Sequence, residues 1–210
     1  MFDKIIQVES LIAGCLTLAA TLLTIYLKNR AALKRESEVP FICPDKEDQI
    51  QMEKLTKRNE SIIDCIEYTM REIKADRCYI FEFSNGVHFT SGLPAQKFTC
   101  TYESVEDGIS SECQNPGEYR VSNYNHFVKK IIDGQSISFS KTIDCKMPLF
   151  RELLIKKGVK SVYNFPIKNL QGKVVGIFGV DYVKRERVLE GKHLEILKNR
   201  ALKLAGYLVD

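Results

Sequence analysis

The sequence predicts an α+β domain, a mostly antiparallel sheet with flanking helices, preceded by an N-terminal transmembrane helix. Three observations support this fold class. The run Ser10–Leu27 contains no charged residue. After it, the patterns follow in the order helix, strand, strand, helix, strand, helix, hairpin, helix, which suits a sheet with helices packed against it. The hairpin is the clearest element, because two apolar strands, Lys160–Ile167 and Lys173–Val183, flank a short turn that contains glycine.

Composition excludes several classes of protein. Of 210 residues, 44% are hydrophobic and 28% are charged, as in a folded globular chain rather than a disordered one. The net charge is +4, and lysine and arginine are spread along the chain, so we expect no nucleic-acid partner. The seven cysteines include no Cys-x-x-Cys pair, which favours free thiols in a reducing compartment.

Residues 1–35 are predicted to form a single-pass membrane anchor with a basic juxtamembrane segment. At about 1.5 Å per residue, Ser10–Leu27 nearly spans the hydrocarbon core of a bilayer. Basic residues follow this run directly, so the positive-inside rule places the rest of the chain in the cytoplasm, at a bacterial inner membrane. A lipoprotein box at Ile12–Cys15, a cleaved signal and a buried soluble helix are alternatives, and the position of the basic residues favours the anchor.

The globular domain is expected to span residues 48–210, after a linker at residues 36–47 that contains two prolines. It begins with a predicted helix at Asp48–Lys74, where apolar residues recur at helical spacing. A helix between an anchor and a globular domain is well placed to pair with its copy. We therefore expect a homodimer.

The first two strands are predicted at Arg77–Phe83 and Gln96–Val105, which are rich in aromatic and β-branched residues. Side chains alternate between the two faces of a strand. Strict alternation would place Phe98, Cys100 and Tyr102 together on one face of the sheet.

The middle of the chain is predicted to be a long exposed loop followed by short elements. The stretch Glu106–Arg120 is rich in glycine, serine, proline and acidic residues, as exposed loops are. The remaining elements are a helix at Tyr124–Asp133 ended by Gly134, a strand at Ser136–Ser140, a helix at Pro148–Lys157 ended by Gly158, and a terminal amphipathic helix at Gly191–Val209.

The passage Gly158–Glu186 resembles the closing hairpin of a GAF domain. The matching residues are Gly158, Val159, Ser161, Pro166, Gly172, Gly176, Gly179 and Val180. By element order the resemblance extends over about residues 48–210. It implies a module for small-molecule sensing and dimerisation, with a ligand pocket on one face of the sheet, beneath the loops and short helices of the middle segment.

The sequence departs from the GAF subfamilies whose ligands are known. It shows no pattern of the cyclic-nucleotide-binding type, no Cys-His pair for attaching a bilin, and no three-cysteine arrangement of the methionine-sulfoxide-reducing type. It therefore identifies no cofactor. The stretch Phe81–Pro94 further resembles proteins of this fold that are often phage-encoded, with Asn85-Gly86 after the first strand and Gly92-Leu93-Pro94 soon after.

Seven polar residues are candidates for a ligand site, because such a site needs an apolar wall with a few polar groups. They are Asn85, His88, Ser91, Tyr102, Asn123, Asn164 and Asp181. Asp181 is the most informative of them, since a carboxylate at the end of an apolar strand is either exposed or held by a partner.

No catalytic or metal-binding residue is assigned. His88 lies near Ser91 and Cys100, but no acidic residue is placed to orient it, and the Gly-x-Ser-x-Gly pattern of hydrolases is absent. The cysteines lack the close pairs of strong zinc motifs.

Together these patterns predict a membrane-anchored, cytoplasmic GAF-like module that is sensory or binds other proteins. It would be dimeric and non-catalytic, and it would bind a small ligand or a protein partner. Two alternatives stay open. One is a thiol-based redox enzyme acting through Cys100 and Cys113, and the other is a ligand-free scaffold of phage origin.

Overall fold

The computed structural model describes residues 21–26, 28, 46–84, 96–113 and 119–208. Residues 21–26 and 28 are helical. Most of the predicted anchor at Ser10–Leu27, and most of the predicted linker, lie outside these ranges. Within them, no helix combines the length and apolar character that crossing a membrane requires.

The first helix of the globular domain, α1, spans Lys46–Ile73. It begins two residues earlier than predicted, inside the expected linker. Its C-terminal half is buried on one stripe at helical spacing, and the buried residues are Ile62, Cys65, Ile66, Thr69 and Ile73. The residue after the helix, Lys74, adopts a left-handed conformation with φ of 53°.

Among the described residues, six antiparallel strands form one sheet in the order β3-β2-β1-β6-β5-β4. The strands are β1 at Arg77–Ser84, β2 at Lys97–Val105, β3 at Tyr119–Arg120, β4 at Ile137–Phe139, β5 at Ser161–Lys168 and β6 at Val174–Tyr182. The predicted hairpin is confirmed as β5 and β6, which pair along almost their whole length. The α+β fold class is confirmed with it.

The remaining helices are α2 at Asn125–Ile132, α3 at Pro148–Lys156 and α4 at Gly191–Leu208. Short 3-10 turns at Val121–Tyr124 and Thr142–Asp144 precede α2 and α3. Gly134 and Gly158 take positive φ values of 79° and 67° two residues after the last residues of α2 and α3, which confirms both predicted helix ends.

Each face of the sheet buries its own hydrophobic cluster. On one face, residues such as Ile80, Phe178 and Val180 pack against α1 and α4. On the other, residues such as Phe81 and Ile177 pack against α2 and α3. The central strands β1, β5 and β6 are therefore apolar on both sides, as strands covered on both faces are.

A bulge in β2 overturns the strict alternation expected there. Ile80 of β1 pairs with Tyr102, but the next residue, Phe81, pairs with Cys100, so Thr101 is an extra residue without a partner of its own. Beyond it the side chains exchange faces. Tyr102 packs on the face that carries α1. Glu103 lies on the opposite face, where strict alternation would have placed Tyr102.

The segment after β2 also differs from the long exposed loop that was predicted. Glu112 is only 7% exposed, and Tyr119–Arg120 at the end of the stretch forms β3. The acidic composition suggested a solvated loop, whereas the carboxylate of Glu112 is buried against Arg77 and Lys157.

Candidate functional site

A buried cluster of charged side chains lies at the end of β1, on the face of the sheet that carries α2 and α3. Arg77, the first residue of β1, has no exposed surface. Its Nη1 lies 2.9 Å from Oδ2 of Asp181 and 3.6 Å from Oε1 of Glu112, and its Nε lies 3.4 Å from Oε1 of Glu103. Nη2 donates to the backbone oxygen of Ser110 at 2.7 Å. One guanidinium thus joins three carboxylates.

Strand register explains this convergence. Arg77 pairs directly with Asp181 across β1 and β6, so their side chains lie on the same face. The bulge at Thr101 turns Glu103 towards that face as well. Taking charges out of water is costly unless each charge is paired. Here the paired side chains come from three strands, with Arg77 on β1, Asp181 on β6 and Glu103 on β2.

Glu103 fixes the segment that follows β2. Its carboxylate accepts hydrogen bonds from the Ser111 hydroxyl at 2.6 Å, from the Glu112 backbone N–H at 2.8 Å, and from the Cys113 backbone N–H at 3.0 Å. Charge-assisted bonds of this kind are about twice as strong as neutral ones. Residues 110–113 are therefore held onto the sheet, and Glu112 is carried into the cluster.

Tyr79 links the charged cluster to β5. Its hydroxyl lies 3.0 Å from Oδ1 of Asn164 and 3.0 Å from Oδ1 of Asp181. The ring reaches both by crossing Gly179, where an added Cβ would lie 2.2 Å from Tyr79 Cε2, so only glycine fits there. Burial raises the pKa of Asp181, against the opposing effects of Arg77 and of the Tyr79 hydrogen bond.

Next to this cluster is a small cavity of about 40 Å³. Asn164, Asp181, Glu112 and Lys157 supply its polar wall, and the rest is aromatic or aliphatic, from Phe81, Phe98, Phe127, Phe150, Leu153, Leu154 and Ile177, with Tyr79 and Tyr119 completing it. Its volume is enough for roughly three water molecules. The Nδ2 donor of Asn164 is buried and has no hydrogen-bond partner among the described residues.

Lys157, directly after α3, lies at the edge of the cavity. Its ammonium contacts Oε2 of Glu112 and the hydroxyl of Tyr119, which itself lies 2.9 Å from Glu112 Oε2. Burial, together with the positive charge of Arg77, lowers the pKa of Lys157 to about 8, and burial raises that of Tyr119 to about 12. Lys157 therefore loses its charge at a lower pH than an exposed lysine does.

The structure brings two of the seven predicted site residues together, Asn164 and Asp181, in the wall of this cavity. Tyr102 lies on the opposite face of the sheet, where its hydroxyl donates to Oδ1 of Asn59 at 2.7 Å. Asn123 is exposed in the 3-10 turn before α2 and borders a separate surface pocket. The remaining three, Asn85, His88 and Ser91, lie outside the described residues.

Sequence reasoning missed four residues of the cluster, namely Arg77, Glu103, Glu112 and Lys157. A usable signal existed for Arg77, since an arginine that opens an apolar strand predicts a buried ion pair with the acid in the neighbouring strand. Glu103 and Glu112 gave no such signal, because a bulge and a folded-back loop placed them.

Comparison with known proteins gives matches in structure but not in sequence. No family model and no curated protein matches the chain. The PixJ GAF domain of Thermosynechococcus elongatus superposes with a TM-score of 0.57 at 13% identity, covering 73% of this chain and 88% of that one. A far-red cyanobacteriochrome photoreceptor gives 0.58 at 16%, covering 84% and 96%. The GAF domain region of a putative membrane protein from Geobacter sulfurreducens gives 0.56 at 20%, covering 75% and 96%.

The chain has the GAF fold. The expectation drawn from the Gly158–Glu186 hairpin is thereby confirmed for the fold. At these levels of identity the GAF match concerns architecture, and function has to be argued from the cavity and its neighbouring cluster.

Proposed function

We propose that this GAF-type domain is a sensory module that binds a small molecule in the cavity beside Asn164 and Asp181, without catalysing a reaction. The observation that supports the proposal is the unpartnered Nδ2 donor of Asn164 in the wall of an apolar cavity. A buried donor without a partner costs roughly 1–3 kcal/mol. A ligand with a hydrogen-bond acceptor at this position removes that cost.

The ligand chemistry follows from the walls. Aromatic and aliphatic side chains surround most of the cavity, so the ligand has an apolar body. Its polar end is an acceptor that reaches Asn164. The volume of about 40 Å³ is several times smaller than the roughly 300–1,000 Å³ of drug-sized ligand pockets. A bilin, such as the biliverdin IXα bound in one structural neighbour, therefore does not fit this cavity.

Ligand binding can reach the rest of the domain through the charged cluster. Asp181 and Glu112 border the cavity and also contact Arg77, which holds the segment at residues 110–113. A ligand that draws Asp181 or Lys157 towards itself changes this pairing. We propose that signalling uses this change, since it alters the position of a surface segment.

We propose further that the module acts as a homodimer attached to the bacterial inner membrane, with the GAF-type domain in the cytoplasm. The charge-free run Ser10–Leu27 and the basic residues after it support the anchor. Met52 and Leu55 on the N-terminal half of α1 are 59% and 45% exposed, which supports pairing of two α1 helices. Protease treatment of intact spheroplasts tests the topology. Protection of the domain is expected, and digestion would contradict it.

Thermal unfolding with small probe molecules tests the binding site. The full chain is heated with acetamide, imidazole and phenol, each of which offers an acceptor on a small body. A probe present at ten times its Kd stabilises by about 1.4 kcal/mol, which raises the Tm of a chain of this size by about 3–5 °C.

Two matched variants locate the effect. Asn164→Leu removes the donor and fills the cavity, so the shift in Tm is expected to disappear. Asn123→Leu changes an exposed asparagine of the same domain and should keep the shift. An equal shift in both variants, or no shift with any probe in the unmodified chain, would contradict the proposal.

A further inference from the structure

Two cysteines lie almost within bonding distance on the edge of the charged cluster. Cys100 belongs to β2, and Cys113 ends the segment that Glu103 holds against the sheet. Their Sγ atoms are 2.8 Å apart. A disulfide bond is about 2.05 Å long, so the two sulfurs need to move together by less than about 1 Å. Both side chains are partly exposed, which leaves them within reach of a small reagent.

A metal ion does not explain this pair. Cys100, Cys113 and Glu103 are close enough to one another to suggest a three-ligand site. However, the Glu103 carboxylate already accepts three hydrogen bonds and lies 3.4 Å from the Arg77 guanidinium. A metal ion bound here would have to compete with these hydrogen bonds and would lie beside a buried cation. Two thiols alone are too few for a structural metal site.

We propose that Cys100 and Cys113 form a reversible intramolecular disulfide that ties the segment at residues 110–113 to β2. The argument depends on the position of the two sulfurs and is independent of the proposed ligand. One consequence rests on the proposed function, because Glu112, the residue before Cys113, is part of the cavity wall. The disulfide would restrict the movement of Glu112, and with it the opening of the cavity near Lys157.

The oxidant is a small-molecule disulfide of the glutathione class, acting by thiol–disulfide exchange. In the first step the thiolate of one cysteine attacks a glutathione disulfide, forms a mixed disulfide and releases one glutathione thiolate. In the second step the other cysteine attacks the protein sulfur of that mixed disulfide and releases the second glutathione. The two protons lost by the cysteines pass to the two released thiolates. Two protein thiols are thus oxidised, and one glutathione disulfide is reduced.

Mass spectrometry after equilibration in glutathione buffers tests the proposal directly. The full chain is held at a series of ratios of oxidised to reduced glutathione, and free thiols are then alkylated. Trypsin releases residues 98–120 as one peptide that contains both cysteines, because no lysine or arginine lies between Phe98 and Arg120. The disulfide is expected as this peptide lighter by two hydrogens and without alkylation. Cleavage after glutamate then separates the two cysteines unless they are bonded.

Variants distinguish the internal bond from nonspecific oxidation. Cys100→Ser and Cys113→Ser should yield only a mixed disulfide with glutathione on the remaining cysteine. Cys145→Ser, which changes a buried cysteine elsewhere in the same domain, should keep the linked peptide. Two alkylated cysteines, or two separate glutathione adducts, in the unmodified chain at the most oxidising ratio would overturn the proposal.

Rate and stability give two further readouts. Burial raises the pKa of both thiols, so the thiolate that performs exchange is scarce at neutral pH, and the rate of oxidation should increase about tenfold per unit from pH 7 to pH 8. The oxidised chain should unfold about 5–10 °C above the reduced chain, since the bond closes the loop of residues 100–113 and so lowers the conformational entropy of the unfolded chain. Equal Tm values for the two forms would contradict the proposed restraint on residues 110–113.

Discussion

Arg77 is the residue on which the charged cluster depends. It is fully buried, and Asp181, Glu103 and Glu112 all face its guanidinium. Two cations, Arg77 and Lys157, thus stand against three carboxylates. Burial raises the pKa of Asp181, against the opposing charge of Arg77. Without Arg77, the cluster would hold three carboxylates and one cation, Lys157.

Replacing Arg77 should destabilise the domain strongly. Arg77→Met removes a cation that faces three buried carboxylates, and breaking a buried ion pair costs about 3–5 kcal/mol. Chemical denaturation of both chains measures the loss. Lys129→Met is the control, since Lys129 pairs with Asp133 on the surface, where such pairs contribute at most about 1 kcal/mol. A loss for Arg77→Met no larger than that of the control would refute the role of the cluster.

Lys157 gives the site a dependence on pH. Its pKa is lowered to about 8 in the folded state, so the folded chain binds fewer protons than the unfolded chain between about pH 8 and the ordinary range near 10.5. The contribution of Lys157 to the free energy of unfolding is therefore fully present above about pH 10.5, and it is lost as the pH falls through about 8.

The free energy of unfolding, compared between the unmodified chain and Lys157→Met, should show this trend. The difference between the two should grow in favour of the unmodified chain from pH 7.5 to pH 9.5. Comparison at each pH separates the effect from the tyrosines and cysteines that titrate in both chains. A constant difference, or one that shrinks with rising pH, would show that Lys157 is not held in a buried, disfavoured charged state.

At the scale of elements, the bulge in β2 decides which side chains reach the site. Thr101 is the extra residue, and because it bulges out of the ladder, Cys100 and Glu103 both face α2 and α3 although they are three positions apart. If Thr101 were deleted, these two residues would be two positions apart and would face the same side in a regular strand. Removing Thr99, which pairs regularly with Glu82, would instead turn Phe98 away from the core.

Deletion of single residues tests this account of the strand. We expect deletion of Thr101 to cost at least about 1 kcal/mol less than deletion of Thr99, because a one-residue shift in a regular strand exchanges its faces. Chemical denaturation of the two deletion variants gives the comparison. A larger loss in the free energy of unfolding for Thr101 deletion than for Thr99 deletion would contradict this account of the bulge.

The same elements show what the sequence could predict. The hairpin of β5 and β6 and the helix ends at Gly134 and Gly158 depend on local patterns, so they were predicted close to their observed positions. Asp181 and Asn164 could be predicted as candidates because they interrupt apolar strands. The bulge at Thr101 has no local signature, and it moved Tyr102 away from the site and Glu103 into it. Glu112 was missed because its burial depends on Arg77 and Lys157, which are distant in sequence.

At the scale of the whole molecule, the proposed dimer depends on α1. Met52 and Leu55 should lie in the interface, so the double substitution Met52→Glu and Leu55→Glu is expected to convert the full chain in detergent from dimer to monomer. Sedimentation equilibrium measures the mass. Lys54→Glu adds negative charge on a neighbouring position of the same helix and should leave the dimer intact. A monomeric unmodified chain, or a dimer that survives the double substitution, would contradict pairing through α1.

The central claim is that the cavity beside Asn164 binds a small molecule, and the side-chain amide of Asn164 reports on it most directly. Its two Nδ2 protons give a nitrogen-correlated NMR signal that can be followed while acetamide, imidazole or phenol is added. We predict a saturable shift of the Asn164 signal with at least one of these probes, while the Asn123 signal stays in place. An Asn164 signal unchanged at saturating concentrations of all three probes would contradict the account.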